Sequence, residues 1–294
     1  MAFTRGFDAA AINHFKETSL FLEKLLPDFT AQNVFLAIRD GQTFDIYHKG
    51  GKLFSYHNGF STHIKYASIL TYKDDYIPES VLTNPEQRNT LLVTDFNNGY
   101  KRIKENCALH SGPEAAGVSN IYSKYSYLSN SPIVVLDIEV SFEVLPGTEG
   151  IQDRIDILLF NKETRQLKFV EAKEFSNKEI WSQRGTRPQV ITDQLPRYEA
   201  QIINKEADIV SAYTNAVNSI NNIFNIQLPT PLTVVHDPTL LIFGFDANQR
   251  DGRLNDIFLT DGSRRKENGT DQRFPCYCIG DIKRLEIQNL WNAD

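Results

Sequence analysis

Near the start of the chain the apolar residues Ile12, Phe15, Leu22 and Leu26 recur close to helical spacing, with Lys16, Glu17, Glu23 and Lys24 between them. The pattern predicts an amphipathic helix over 8–26, opened by Asp8 as N-cap and stopped by Pro27. After residue 33 the period changes. NVFLAIRD, TFDIYHKGGKLFSYH and THIKYASILTY are short β-rich runs broken by Asp-Gly and Gly-Gly, which predicts a small antiparallel sheet. Residues 76–131 read as helix and loop, punctuated by Pro78, Pro85 and Pro113. From 132 onward three strand-like runs follow one another, IVVLDIEVSFEV, RIDILLF and LKFVEAK. A helical stretch from Pro188 to Phe224 comes next, and Pro196 inside it predicts a kink or a restart. A buried strand in LTVVHDPTLLIFGFD, a polar loop region and a strand–helix element, FPCYCIGDIKRLEIQNLW, come after it. The change of pattern divides the chain into an N-terminal α+β lobe, 1–85, and a larger domain, 86–294.

With 294 residues, 41% of them hydrophobic and 23% charged, the chain can bury a sizeable core. No run approaches the ~20 apolar residues of a membrane span, so no membrane partner is expected. The opening segment, MAFTRGFDAAAINHFKETSLFLEKL, lacks the basic-then-apolar order of a secretory leader. Cys107, Cys276 and Cys278 are odd in number, and two of them are separated by a single residue. That suits neither a disulfide framework nor a zinc site, and it predicts inert thiols in a reducing, cytoplasmic compartment. The formal net charge of −6 argues against a protein that coats nucleic acid through bulk charge. It leaves room for an enzyme with a local basic track around an acidic, metal-binding centre. Serine and cysteine nucleophile motifs, glycine-rich phosphate loops and histidines at metal-ligand spacing are all absent from the sequence.

The segment that carries chemistry is RIDILLFNKETRQLKFVEAK, residues 154–173. Two apolar strands flank the polar turn NKETRQ. With the turn centred between Glu163 and Thr164, Phe160 faces Leu167, Leu158 faces Phe169 and Asp156 faces Glu171. Directly opposed side chains lie roughly 4.5–5.5 Å apart at Cβ. Lys173 shares a face with Glu171 through the two-residue period of a strand. Two carboxylates and an ammonium therefore converge at the end of an apolar hairpin. Paired carboxylates repel, and a hard divalent cation such as magnesium relieves the repulsion. Lys173 beside such a cation could orient or deprotonate a water, or steady charge developing on a phosphate. A salt-bridged structural hairpin is the plainer alternative.

An Asp on one strand followed by Glu-x-Lys on the next resembles the PD-(D/E)XK, restriction-endonuclease-like, nuclease superfamily. The resemblance implies an α/β fold, with a central mixed β-sheet flanked by helices forming the core after the small N-terminal lobe. It implies that Asp156 and Glu171 hold Mg²⁺, with Mn²⁺ able to substitute, that Ala172 lends its backbone carbonyl, and that Lys173 acts on the water. The family often has Pro before the Asp where this chain has Ile155. Members often carry a further acid upstream. Here IVVLDIEVSFEV alternates Asp137, Glu139 and Glu143 with Leu136, Ile138, Val140 and Phe142, and Glu139, mid-strand, is the choice, with Glu114 on the preceding helix as rival. Downstream, QLPRY puts Gln194 and Tyr198 four apart on one helix face. This resembles the Gln-x-x-x-Tyr of nucleases akin to the exonuclease part of bacterial recombination machines, and it implies that both residues support the active site or touch nucleic acid. Simple packing positions on an amphipathic helix are the other reading.

The resemblance covers roughly 105–245 and implies metal-dependent phosphodiester hydrolysis by an activated water, with DNA preferred to RNA as substrate and a homodimer left open. Restriction, anti-phage defence, mobile elements and repair are all settings for such an enzyme. The rival is a non-catalytic nucleic-acid-binding or interaction protein that retains the nuclease fold, since fold does not fix function. In the first lobe His48, Lys49, Lys52, Tyr56, His57, His63, Lys65 and Tyr66 interleave. Such a pattern either grips phosphates and stacks on bases or pairs across the strands of an ordinary sheet. Arg264, Arg265 and Lys266 lie in a basic loop diluted by acidic neighbours, and read as solvated.

Overall fold

Asp8 caps the first helix by accepting a hydrogen bond from the Ala11 N–H at 2.7 Å. The helix α1 (Ala9–Glu17) ends at Thr18, whose backbone is extended. A π-helical turn, Phe21–Leu25, and α2 (Leu26–Thr30) follow, so the expected single helix is three pieces. Pro27 does not stop a helix here. It sits where the π-helical turn passes without a break into α2, and the widened turn accommodates its ring and missing N–H. These coordinates are a computed structural model that describes residues 3–40, 42–69, 74–84, 90–142, 153–181, 188–254, 266–267, 270–271 and 274–293.

The chain divides into two units, one of Ala2–Asn130 with Ser211–Thr230, the other of Ser131–Val210 with Pro231–Asp294. The first holds a five-stranded antiparallel sheet in sequential order: β1 (Phe35–Arg39), β2 (Thr43–His48), β3 (Gly51–Tyr56), β4 (Phe60–His63) and β5 (Tyr76–Pro78). Between β2 and β3 Lys49 and Gly50 have φ of 47° and 88°, a two-residue turn with both centres left-handed. A Cβ on Gly50 would stand 2.4 Å from the Ala115 carbonyl carbon, so the position admits only glycine. Phe15, Phe44, Tyr56 and Phe60 form an aromatic core beneath this sheet, with Phe15 4.8 Å from Phe44 and 4.9 Å from Tyr56 between ring centres. Tyr56 and Tyr66 are buried, so the interleaved aromatics pack inward and do not form a platform for bases.

The helices α3 (Ile64–Ala67), α4 (Phe96–Leu109) and α5 (Pro113–Lys124) also belong to this unit, as do residues 211–224 of a long helix that begins in the other. The apolar face of α4 sets Phe96 and Tyr100 against Phe54 of β3, with ring centres 5.2 and 6.2 Å away. The division therefore falls at 130/131, whereas the change of sequence pattern suggested 85/86. Phe96, Tyr100 and Ile103 of α4 are buried with the first sheet.

The second unit is built on a mixed sheet whose strands run, in spatial order, Cys276–Ile279, Thr239–Phe243, Gln166–Glu174, Arg154–Asn161 and Ile133–Ser141. A meander of β6 (Ile133–Ser141), β7 (Arg154–Asn161) and β8 (Gln166–Glu174) is antiparallel throughout. On the other edge of β8, β9 (Thr233–Val234) and β10 (Thr239–Phe243) lie end to end, both parallel to it. Within the expected helical stretch a π-helical turn, Val190–Gln194, precedes α6 (Leu195–Asn204) and α7 (Glu206–Phe224). Pro196 lies in the first turn of α6, repeating the arrangement at Pro27. In both places the π-turn widens the helix where the proline ring would meet the carbonyl four residues earlier.

A short α8 (Ala247–Gln249), the ladder of β11 (Lys266–Glu267) with β12 (Thr270–Asp271), β13 (Cys276–Ile279) parallel to β10, and α9 (Ile287–Trp291) follow. The fold is thus α/β, with mixed and antiparallel sheets flanked by helices. No described helix is long and apolar enough to cross a membrane. Cys107 is buried, and burial pushes its thiol up to about 12, which keeps it protonated and inert. Arg264 and Arg265 lie outside the described residues.

Candidate active site

The β7–β8 turn is built by Asn161. Its side-chain carbonyl accepts from the N–H groups of Glu163 at 3.0 Å and Thr164 at 3.1 Å, and Arg165 closes the loop with φ of 60°. This fixes the register: Phe160 pairs with Leu167, Leu158 with Phe169 and Ile157 with Val170. One step further the ladder is continued by a side chain. The Asp156 carboxylate accepts a hydrogen bond from the Ala172 N–H at 2.8 Å.

Glu171 and Lys173 lie on β8 between two neighbouring strands, opposite Leu240 and Ile242 of β10. Both are buried, at 2% and 5% exposure. The Lys173 ammonium sits 2.7 Å from Glu171 Oε1 and 2.7 Å from Glu179 Oε2. Burial alone would lower the Lys173 pKa. The negative charges of Glu171, Glu179 and Asp156 outweigh it and hold the group above its ordinary value. Lys173 is therefore an ammonium.

Glu179 was not anticipated from the sequence. It lies in a 3₁₀ turn, Lys178–Ile180, capped by the Asn177 side chain on the Glu179 N–H at 3.0 Å. The Asn-x-Glu spacing, a cap residue followed by an acid in the first turn, was the available signal. The turn packs against the π-turn 190–194.

Tyr198 is buried, and its hydroxyl donates to the Arg154 carbonyl at 2.9 Å. Burial, then the charges of Glu171, Asp156 and Asp153, raise its pKa, so it stays a phenol. The structure thus places Tyr198 within electrostatic reach of both carboxylates while its proton serves the backbone of β7. The same helix is tied to that strand by Arg197, which bonds Asp153 at 3.0 Å. Gln194 closes the π-turn, and its side-chain Oε1 is buried without a hydrogen bond.

Glu139 stands level with Asp156 on the neighbouring strand, since Ile138 pairs with Ile157 and Val140 with Ile155. Its φ is 49°, and its carboxylate is 3.9 Å from Arg154 Nη1. The expected alternation along β6 is broken twice, at Glu139 and by a register shift between Val135 and Asp137. Asp137 consequently turns inward, 1% exposed, with its carboxylate accepting from the Ile138 N–H at 2.8 Å. Glu143 lies outside the described residues. Glu114 is in the first turn of α5, in the other unit.

Among the described residues no group of three or more His, Cys, Asp and Glu side chains is arranged to hold a metal ion. The donor set is smaller: Asp156 and Glu171, two hard oxygen ligands that act electrostatically on the same two groups, Lys173 and Tyr198. One or two carboxylates completed by water and phosphate oxygens is the usual protein share of a magnesium site, so the residues fit such an ion. Compared with family models, with curated proteins and with solved structures, the chain matches none.

Proposed function

We propose that this protein is a divalent-metal-dependent nuclease of restriction-endonuclease-like architecture, acting on DNA in preference to RNA, with Asp156, Glu171 and Lys173 as its active site. One observation carries the reading. A lysine and a glutamate are buried together at 2.7 Å in the middle of a sheet, and the Asp156 carboxylate on the next strand accepts from the N–H of Ala172, the residue between them. Burying charge in this way is unfavourable by several kcal/mol per ion before pairing, and hydrophobic residues would fill the space more stably. A site that handles charge explains why they are there.

Asp156, Glu171 and the carbonyl of Ala172 would hold Mg²⁺ or Mn²⁺. Such a cation supplies Lewis acidity toward a phosphoryl oxygen and makes a nearby water more acidic. Lys173, kept charged by its carboxylates, is no base in this arrangement. Its role is a fixed positive charge set against the negative charge that grows on the phosphate. Tyr198 and Arg197 hold the start of β7, and so Asp156, in place. Glu139, level with Asp156, is the further acid of the set.

A second reading has its own support. Glu171, Lys173 and Glu179 pair with one another, which suits a structural cluster in a non-catalytic nucleic-acid-binding protein of the same fold. The test is cleavage of single-stranded DNA, double-stranded DNA and RNA with manganese, comparing wild type with Asp156→Asn and Glu171→Gln. Both variants keep side-chain shape, and melting checks their folding. Cleavage that falls at least about 100-fold in both supports the enzyme, that being the low end of the loss when a catalytic group is removed. Full activity in both variants removes these residues from the chemistry. Wild type that binds DNA and cuts none of the substrates supports the second reading.

A further inference from the structure

The first unit contains an open cavity of about 820 Å³ far removed in sequence from the β7–β8 hairpin. Four lysines from three elements line it: Lys24 on the first π-turn, Lys49 on the β2–β3 turn, and Lys101 and Lys104 on α4. Against them stand Asp28 and Glu105. The cavity wall therefore carries a net charge of +2, four cations less two carboxylates, in a chain whose net charge is −6.

The two acids are already matched. Asp28 accepts from the Lys104 ammonium, and from the Tyr100 hydroxyl at 2.7 Å, while Glu105 is 3.9 Å from Lys101. Lys24 and Lys49 make no ion pair with any described residue. Lys49 is exposed at the tip of the left-handed turn that Gly50 makes possible.

His48 supplies a second, independent observation. It is 93% buried, the complement of its 7% exposure, and lines the same cavity. Its Nδ1 lies 2.8 Å from the Asn33 carbonyl, which can only accept, so Nδ1 carries the proton. Burial first, and then the charges of Lys104 and Lys49, lower its pKa, so the ring is neutral. Nε2 is then a bare acceptor, and it makes no hydrogen bond with any described residue. Ala108 and Leu109 give the wall an apolar stretch.

We infer that this cavity binds a nucleotide, its phosphate met by Lys24 and Lys49 and a sugar or base donor met by His48 Nε2. A cation pair alone suits any anion. The acceptor on a buried ring and the apolar wall ask for a ligand with N–H or O–H donors on a flat body held away from its phosphate, which a nucleotide has and inorganic phosphate lacks. The nucleotide can be free or part of a strand, and the inference stands whether or not the β7–β8 site is catalytic.

The experiment is titration calorimetry in EDTA with adenosine 5′-monophosphate, inorganic phosphate and a short single-stranded DNA, on wild type and on the double variant Lys24→Gln/Lys49→Gln. Both positions are at least partly exposed, so the variant should fold, and its melting temperature checks this. A free-nucleotide site gives monophosphate binding at least tenfold tighter than phosphate, weakened at least tenfold in the variant. A strand site gives no monophosphate binding, with a DNA affinity whose logarithmic salt slope is shallower by about 1.4 in the variant, at about 0.7 per cation removed. His48→Gln should weaken whichever ligand binds by a further several-fold. Monophosphate and DNA affinities unchanged in the folded double variant overturn the inference, as does phosphate binding as tightly as the monophosphate.

Discussion

Replacing Lys173 by Met keeps most of the side-chain volume and deletes the ammonium. The lysine and Glu171 side chains are 6% and 2% exposed, so solvent screens little of the loss. Removing one partner of a buried ion pair destabilises by about 3–5 kcal/mol, because the other charge is left in the interior. Glu179, 35% exposed at its side chain, turns to water and adds little. At roughly 2–4 °C per kcal/mol for chains of this size, the melting temperature in EDTA should fall by about 6–20 °C. Manganese should then rescue the variant more than it raises wild type. The cation replaces the missing charge beside Glu171 and no longer meets a neighbour of the same sign. Saturation at a hundred times Kd adds about 2.7 kcal/mol to the form that binds. Scanning calorimetry of both proteins in EDTA and in manganese measures the two gaps. A variant that melts within about 2 °C of wild type in EDTA refutes Lys173 as the counter-charge of Glu171. A deficit that manganese leaves unchanged refutes the carboxylates as cation ligands.

Two other outcomes follow from the same coordinates. Glu179→Gln leaves Lys173 on Glu171, so denaturation should show a loss under about 1 kcal/mol, as for other partly exposed pairs, while cleavage falls about 10–100-fold if Glu179 orients the lysine. Asp28 provides a pH signature. Burial would raise its carboxyl, but the hydrogen bonds from Lys104 and Tyr100 outweigh burial and hold it below its ordinary 3.8. Its contribution to stability is therefore complete above the unfolded value and is lost as pH falls through the lower folded one. Urea titrations between pH 6 and pH 2 should show that slope in wild type and a shallower one in Asp28→Asn, and identical slopes would remove Asp28 from the acid response.

Much of the second sheet is legible in the residues themselves. The β7–β8 register follows from two apolar strands and a turn whose Asn161 caps its own loop, all local information. The β6 pattern misleads because a strand can absorb an irregularity. One residue with φ of 49° and one register shift carry Asp137 to the inside, and no period-two rule anticipates them. Pro27 and Pro196 suggest breaks in the helical pattern, yet each lies where a π-turn runs on into an α-helix, because the widened turn makes room for the ring and the missing donor. The division at 130/131 was hidden for another reason. Which sheet a helix such as α4 covers depends on Phe96 and Tyr100 meeting Phe54, a contact over forty residues away in sequence. Glu179 was missed likewise, because its meeting with Lys173 depends on how the chain turns after β8.

The rung made by Asp156 has a consequence for how this part of the sheet can yield. The Ala172 amide is held by a carboxylate on the β7 side, while the same stretch of β8 stays registered with Leu241 of β10 on its other edge. Drawing the carboxylate away frees the Ala172 amide without breaking a backbone rung of the ladder. Hydrogen exchange at that single amide would therefore quicken without its neighbours following, a local opening uncoupled from the cooperative unfolding of the sheet. The strand can give up a side chain to a ligand and keep its backbone.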